Sequence, residues 1–232
     1  MEIVIGILIL IGLFAGSVVA QNFAQGRIFL RRVPQHTGTR TLWQWAEDND
    51  FEPAGNYTCS VMFDGFLITA WRHKTRPVFL CAYLERNQLG KSRMVDFVTF
   101  FEHYYTLTTS NTNNRAEVPM PGSYKQSFTR LTEDGLWQVH QEAEQFLRSE
   151  GLCDKFELAD FQNCFETFVT TEAKTHRRNP LFPLAALFGF FVRRHFWVNL
   201  SVRRQAEKGW IVPPCHVYPE LKDAFERPSV KI

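Results

Sequence analysis

Several strand-like segments follow one another between Tyr57 and Thr109, and the connections joining them are too short to hold a crossover helix. Along Tyr57–Phe63 apolar and aromatic side chains occupy every second position, which is the period of a β-strand. Asp64-Gly65 separates this segment from a second one, Phe66–Arg72, and the dipeptide favours a tight hairpin turn because both of its positions tolerate positive φ. Parallel neighbours would need connections of about a dozen residues or more. The pattern therefore predicts an antiparallel meander.

Further elements are predicted on both sides of this hairpin. Strands are expected at Pro77–Leu84, Arg93–Phe101, Tyr104–Thr109 and Ser123–Arg130, and helices at Thr39–Asn49, Glu133–Arg148 and Glu157–Lys174. Pro53 and Gly55 are expected to end the first helix, and Gly151 to cap the second one in a left-handed conformation. Ser110–Gly122 is polar and contains two prolines, so it is predicted to be a loop.

These elements predict an α+β fold. An N-terminal transmembrane helix is followed by one antiparallel β-sheet domain, with one face of the sheet packed against flanking helices. The predicted organisation is a transmembrane anchor at 1–21, a basic connector at 22–38, an α+β domain at 39–175, a basic and apolar segment with a possible extra strand at 176–212, and an irregular tail at 213–232.

The anchor prediction rests on Ile3–Ala20, which is 18 residues long and uncharged. As a helix it would span about 27 Å, close to the hydrocarbon thickness of a bilayer. A cleaved signal peptide is the alternative, because Val18-Val19-Ala20 has the spacing of a cleavage site. However, Met1-Glu2 lacks the positive charge of a signal peptide, which favours a retained anchor.

Positive charges follow the apolar segment instead of preceding it, at Arg27, Arg31 and Arg32. The positive-inside rule then places the C-terminal side of the anchor in the cytoplasm. The five cysteines form no CxxC pair and are odd in number, so reduced thiols are favoured. A single bridge between Cys59 and Cys81 remains the alternative.

The C-terminal third is unusual in its charge. Between Lys174 and Lys208 there are eight basic residues and one acid, Glu207, and Pro180–Val192 supplies thirteen uncharged residues between the basic clusters. This apolar run is too short to span a bilayer comfortably. It is either a buried core helix, an interfacial segment whose flanking arginines meet anionic lipid, or a re-entrant or oligomer-contact segment.

The alternation that begins at Phe196 and continues to Val202 predicts that a strand follows this region. The residues proposed to bind lipid or a partner are Arg177, Arg178, Arg193, Arg194, Arg203 and Arg204. Nucleic acid is not an expected partner, because the net charge of the chain is only +2.

Catalytic and cofactor-binding motifs are missing from the sequence. It contains no GxSxG, HExxH, GxGxxG or CxxC pattern, so no catalytic residue, metal or cofactor is predicted. Leu89-Gly90-Lys91-Ser92 resembles the end of a phosphate-binding loop, but Glu85 stands where that loop needs glycine. His140 lies on or beside the apolar stripe of its helix and is interpreted as a hydrogen-bonded, partly buried histidine.

Weaker candidates for chemistry remain. Asp96 lies in an otherwise apolar strand and is a possible buried carboxylate of shifted pKa. A Cys–His nucleophile pair could combine Cys59 or Cys81 with His73 or His103.

Three functional classes fit these features. The first is a membrane-tethered, non-enzymatic module that binds a protein partner or anionic lipid at the membrane surface. The second is an enzyme, or a protein that handles lipids or small molecules, with a pocket between sheet and helices. The third is a subunit of a larger membrane assembly. The lack of catalytic motifs favours the first class.

Overall fold

The computed structural model describes residues 30–34, 40–59, 66–85, 94–102, 105–112, 122–154, 160–178 and 198–211. Within these residues seven strands form one sheet in the order of the sequence. The strands are β1 Leu30–Arg32, β2 Phe51–Cys59, β3 Phe66–His73, β4 Val78–Glu85, β5 Met94–Phe100, β6 Thr106–Ser110 and β7 Ser123–Ser127. The helices are α1 Arg40–Asp48, α2 Glu133–Ser149, α3 Phe161–Arg178 and α4 Val202–Glu207.

The α+β class is confirmed, but the sheet is mixed and not purely antiparallel. Each neighbouring pair from β1 to β6 is antiparallel, as the meander predicts. β6 and β7 pair in parallel, with Thr106 beside Ser123. Residues 111–122 join them, and this length is sufficient to bring the chain back to the end of the sheet where β6 begins. Residues 113–121 of the predicted loop lie outside the described residues.

The first hairpin strand begins six residues earlier than predicted, since Phe51 already pairs with His73. Pro53 and Gly55 therefore lie inside β2, where the register shifts. Gly55 has a φ of 146°, which favours glycine. β1 pairs only with the last three residues of β2, so none of the described strands pairs with Pro53 on the side away from β3, where a proline is tolerated. Asp64-Gly65 lies outside the described residues.

The strand predicted from Phe196 to Val202 is not formed over its described residues, 198–202, and a short helix begins where it was expected to end. Val198 makes a single parallel bridge to Ser127, and α4 begins at Val202. The reason is local: the side chain of Ser201 accepts a hydrogen bond from the backbone N–H of Arg204 and caps the helix. At the end of α2, Gly151 has a φ of 102°, as expected for its capping position.

Helices pack on both faces of the sheet, whereas the sequence pattern predicts one covered face. α1 and α2 pack on one face, where the core includes Leu42, Phe51, Trp71, Leu80, Phe97 and Leu136. α3 packs on the other face, where its residue Phe161 joins Tyr57, Ile68, Phe79 and Cys81 of the sheet. Residues 78–82 of β4 are all fully buried, and such a continuous apolar run is typical of a strand that is covered on both sides.

Side chains from α3 and α4 satisfy backbone groups at both edges of the sheet. At the β1 edge, Leu30 N–H donates to Glu166 and the Leu30 carbonyl accepts from Gln162. At the β7 edge, the side-chain amide of Gln205 donates to the carbonyl of Lys125 at 3.0 Å. These side chains occupy backbone groups of Leu30 and Lys125 that could otherwise pair with another strand.

One end of the sheet, which we call the Leu30 end, carries both the start of β1 and the bridge between Val198 and Ser127. The register places Leu30 beside Cys59 at this end, and the parallel pairing of β6 and β7 places Ser127 beside Ser110 at the same end. The first strand of the sheet thus begins at the same end at which Val198 pairs with β7. Leu30–Arg32 belongs to the segment predicted as the basic connector.

None of the described helices is long and apolar enough to cross a membrane. The predicted anchor, Ile3–Ala20, and the apolar run Pro180–Val192 lie outside the described residues. Cys81, Cys153 and Cys164 are present as thiols.

Candidate functional site

A buried polar cluster lies between α2 and strands β5 to β7, inside an otherwise apolar interface. Its members are Thr99, Thr109, Gln126, His140 and Glu144, which are all at most 2% exposed. His140 and Glu144 are four residues apart and so lie on the same side of α2. Thr109 is the strand neighbour of both Phe97 and Gln126, which places it on the face below α2.

The members of this cluster form a continuous chain of hydrogen bonds. The hydroxyl of Thr99 is 2.5 Å from Oε1 of Glu144 and 2.8 Å from Nε2 of His140. Nδ1 of His140 is 2.7 Å from the hydroxyl of Thr109. The side-chain amide of Gln126 donates to Thr109 and to the carbonyl of Val139, and its oxygen accepts from the backbone N–H of Val202.

Counting protons fixes the direction of these bonds when Glu144 is ionised. A carboxylate only accepts, so Thr99 donates its single proton to Glu144 and must accept from Nε2–H of His140. Nδ1 of the neutral imidazole is then an acceptor, and Thr109 donates to it. Thr109 in turn accepts from Gln126. Every donor points toward Glu144, and the tautomer of His140 follows from its neighbours.

Two guanidinium groups face the carboxylate of Glu144. Arg76, from the turn before β4, donates to Oε2, and Arg148 lies 3.5 Å from Oε1. Arg148 also donates to Asp154 at 3.0 Å, and Arg76 lies over the ring of Trp137. Burial raises the pKa of Glu144, while the hydrogen bond from Thr99 and the charges of Arg76 and Arg148 oppose that rise.

The imidazole of His140 is kept neutral by its surroundings. Burial lowers its pKa well below the ordinary value of 6.5, and the positive charges of Arg76 and Arg148 lower it further. The rings of Phe97 and Trp137 lie against it, with centroids 5.7 Å away in both cases. The prediction that His140 is hydrogen-bonded is confirmed, but its ring is fully and not partly buried.

A hydroxyl, an imidazole and a carboxylate also occur together in hydrolase active sites. There the carboxylate binds the imidazole nitrogen that faces away from the hydroxyl. In this cluster Glu144 binds the hydroxyl of Thr99, and the far nitrogen binds Thr109. Thr99 and His140 are fully buried, so a substrate cannot contact them. The arrangement suits the attachment of α2 to the sheet and not nucleophilic catalysis.

The proposed Cys–His pairing of Cys81 with His73 is not formed. His73 packs against Phe51 and Trp137 on the α1 and α2 face, whereas Cys81 packs on the α3 face. Asp96 is buried and pairs in register with Cys81, so it also lies away from the polar cluster. The side chain of Cys59 lies outside the description, as do His103 and the segment Leu89–Ser92. Within the described residues, no group of three His, Cys, Asp or Glu could hold a metal ion.

Two of the predicted lipid-binding or partner-binding residues, Arg203 and Arg204, are exposed on α4. The side chain of Arg203 is 71% exposed and lies 3.6 Å from Glu207. Lys208 and the partly exposed Trp210 follow directly, with the Lys208 ammonium 4.7 Å from the ring centroid. Arg177 and Arg178 end α3, and nothing is described of their side chains; Arg193 and Arg194 lie outside the described residues.

Sequence reasoning missed most of the polar cluster. Thr99, Thr109 and Gln126 are ordinary strand residues, and the sequence contains no sign that they face a helix. The available signal was the spacing of His140 and Glu144, which puts a titratable pair on the buried stripe of α2.

No protein-family model, no curated protein and no solved structure matches this chain.

Glu144→Gln is expected to lower the free energy of unfolding by about 3 kcal/mol, because it removes the charge that pairs with two partly buried guanidinium groups. Glu142→Gln on the same helix is the matched control, since Glu142 is exposed and contacts Gln138. Its effect should stay within about 0.5 kcal/mol. Chemical denaturation measures both, and equal losses in the two variants would contradict the role given to Glu144.

His140 is expected to carry its proton on Nε2 at pH 7 and to remain neutral at pH 6. Below pH 6.5 the unfolded chain binds a proton at this position and the folded chain does not. Because only the unfolded state gains this proton, the contribution of His140 to the free energy of unfolding is complete above pH 6.5 and is lost as the pH falls below it. A long-range ¹H–¹⁵N spectrum of the imidazole measures both properties. An imidazolium signal from the folded protein at pH 6 would refute the expectation.

Proposed function

We propose that this protein is a membrane-tethered module without catalytic activity, whose cytoplasmic domain binds an anionic lipid surface through the basic residues of its C-terminal third. The proposal combines the apolar segment Ile3–Ala20 with the basic clusters between Lys174 and Lys208. One observation carries the proposal: β1 begins at the Leu30 end of the sheet, and the chain returns to the same end at Val198.

The geometry of the Leu30 end supports simultaneous contact with one membrane. The chain that follows the proposed anchor joins the sheet here at β1, and the chain that follows Arg193 and Arg194 rejoins it here beside β7. Six strand spacings separate the two edges, which corresponds to about 29 Å. A membrane facing this end would therefore meet the anchor at one edge and the basic segment at the other.

Charge at the same end supports an anionic surface as the partner. β4 leaves and β5 returns at the Leu30 end, and the connecting residues 86–93 include three basic residues and no acid. Further cations lie on α4, which runs along the β7 edge away from the Leu30 end: Arg203, Arg204 and Lys208 are exposed, and Lys208 lies over the ring of Trp210. Each cation near an anionic leaflet contributes about 1 kcal/mol to binding, and tryptophan favours the membrane interface.

The alternative of an enzyme or a small-molecule carrier needs a cavity between the sheet and the helices. In the described part of the chain these interfaces are filled by large side chains, such as Trp71 and Phe97 on one face and Phe79 and Phe161 on the other. The polar groups beneath α2 bind one another and not an open space. Both observations favour a binding module.

The anchor is tested with the full chain carrying a C-terminal tag in sealed vesicles of known orientation. The protein is expected to stay in the membrane pellet after an alkaline carbonate wash, with residues 1–20 present by mass. The tag should be cleaved by protease only where the cytoplasmic side faces outward. Loss of residues 1–20 would establish a signal peptide, and protection of the tag in such vesicles would reverse the proposed orientation.

Lipid binding is tested by hydrogen exchange on the full chain in nanodiscs of neutral lipid, with and without an anionic lipid. The peptide 198–211 is expected to gain protection only with anionic lipid. The double variant R203E/R204E should lose most of that gain, because reversal turns about 1 kcal/mol of attraction per residue into repulsion.

Lys74→Glu is the matched control for charge reversal. Lys74 is exposed and follows β3 at the opposite end of the sheet, where it lies 3.2 Å from Asp50. This variant should keep the protection that anionic lipid gives to residues 198–211. Equal protection in both nanodisc types, or equal losses in the two variants, would overturn lipid binding by α4 without affecting the anchor result.

A further inference from the structure

The hydrogen-bond chain beneath α2 ends at a second helix, and this connects a titratable pair to the segment that carries Arg203 and Arg204. Gln126 accepts from the backbone N–H of Val202 at 2.9 Å, at the first residue of α4. The same side chain donates to Thr109, which donates to His140. The orientation of the Gln126 amide is therefore coupled, through two hydrogen bonds, to the position of the proton on the imidazole.

We infer that this chain is an acid-sensitive switch, in which uptake of one proton by the Glu144–His140 pair reverses every hydrogen bond between Glu144 and Gln126 and removes the acceptor that holds the N-terminus of α4. The inference goes beyond the proposed lipid binding and does not depend on it.

The reversal can be followed proton by proton. Before acidification, three protons lie on Thr99, on Nε2 of His140 and on Thr109. After uptake, four protons lie on Glu144, on Thr99, on Nδ1 of His140 and on Thr109. Glu144 then donates to Thr99, Thr99 to Nε2, and Nδ1 to Thr109. The imidazole changes tautomer and stays neutral, so no imidazolium has to be buried.

The last step moves Gln126. In the reversed chain Thr109 accepts from His140, and its own proton needs an acceptor in a fully buried position. The next acceptor along the chain is Oε1 of Gln126, which reaches Thr109 when the side-chain amide rotates by half a turn. The NH₂ group then faces the N–H of Val202, so two donors oppose each other, and the Val139 carbonyl also loses the donor that it has in the unrotated state. α4 retains its second polar attachment, from Gln205 to the carbonyl of Lys125.

The charged groups around Glu144 and His140 determine which of the two binds the added proton. Arg148 of α2 and Arg76 of the turn before β4 both lie beside the Glu144 carboxylate. Asp154 contacts Arg148 at 3.0 Å. His73 of β3 is separated from His140 by the ring of Trp137. Burial raises the pKa of Glu144 and lowers the pKa of His140, so the added proton resides on Glu144. β5, β6 and β7 contribute Thr99, Thr109 and Gln126, which do not titrate.

The test follows two signals in the full-length protein between pH 7 and pH 5. The His140 tautomer is expected to change from Nε2–H to Nδ1–H. The Val202 amide should lose about five- to tenfold in hydrogen-exchange protection, corrected for intrinsic exchange, because one hydrogen bond is lost. Amides of β3 and β4 should keep their protection. Glu144→Gln should show the acid values of both signals at pH 7, since its NH₂ group donates to Thr99 as a protonated carboxyl would.

Thr109→Val provides the independent variant, because a methyl group cannot pass the reversal to Gln126. The Val202 amide should then have the same protection at pH 7 and pH 5. Thr108→Val is the matched control, since Thr108 is equally buried but pairs with Val98 and Lys125 on the opposite face; it should respond as the unaltered protein does. The inference is overturned if the tautomer is the same at both pH values, if Val202 loses protection only together with β3 and β4, or if Thr109→Val responds normally.

Discussion

The carboxylate of Glu144 lies within the core, and the surrounding structure depends on keeping that group paired. A buried carboxylate without partners would cost several kcal/mol, and the chain supplies a hydroxyl from β5 and guanidinium groups from Arg76 and Arg148. These partners come from the sheet, from a turn and from α2 itself. The charge therefore fixes the position of the helix along the sheet more narrowly than apolar packing alone, because few positions satisfy all three contacts at once.

The burial of the sheet on both faces explains why helix side chains bind backbone groups at its edges. Once helices cover both faces, the exposed backbone groups of the sheet are those of β1 and β7, where pairing with another strand is a hazard. Carboxamide side chains of Gln162 and Gln205 satisfy carbonyls at the two edges. The same two helices thus contribute both apolar core residues and partners for backbone groups at the edges, so displacing α3 or α4 would expose both kinds of group.

The predictable parts of this fold were those encoded locally. Alternation and short connections predicted the antiparallel order from β2 to β6, and an apolar stripe predicted α2. The parallel pairing of β7 with β6 depends on the path of the connection formed by residues 111–122. The local sequence of these residues does not determine that path. Pro53 and Gly55 act as helix breakers in most contexts, but a bulge accepts them inside β2, where none of the described strands pairs with Pro53 on the side away from β3. The polar cluster was unpredictable because Thr99, Thr109 and Gln126 become partners only through the register of three strands.

The short helix α4 has an exposed basic side and a first residue that is bonded to the interior of the domain. Its outer side presents Arg203 and Arg204 to solvent, while its first residue is held by Gln126 inside the domain. A six-residue helix has little stability of its own, so its persistence depends on these tertiary contacts. The hydrogen bond from Val202 to Gln126 is one of these contacts, together with the burial of Val202 and the bond from Gln205 to the Lys125 carbonyl. In the proposed switch, a change of protonation at Glu144 acts on this contact through Thr99 on β5, His140 on α2 and Thr109 on β6, because each intervening contact is a hydrogen bond with a defined direction.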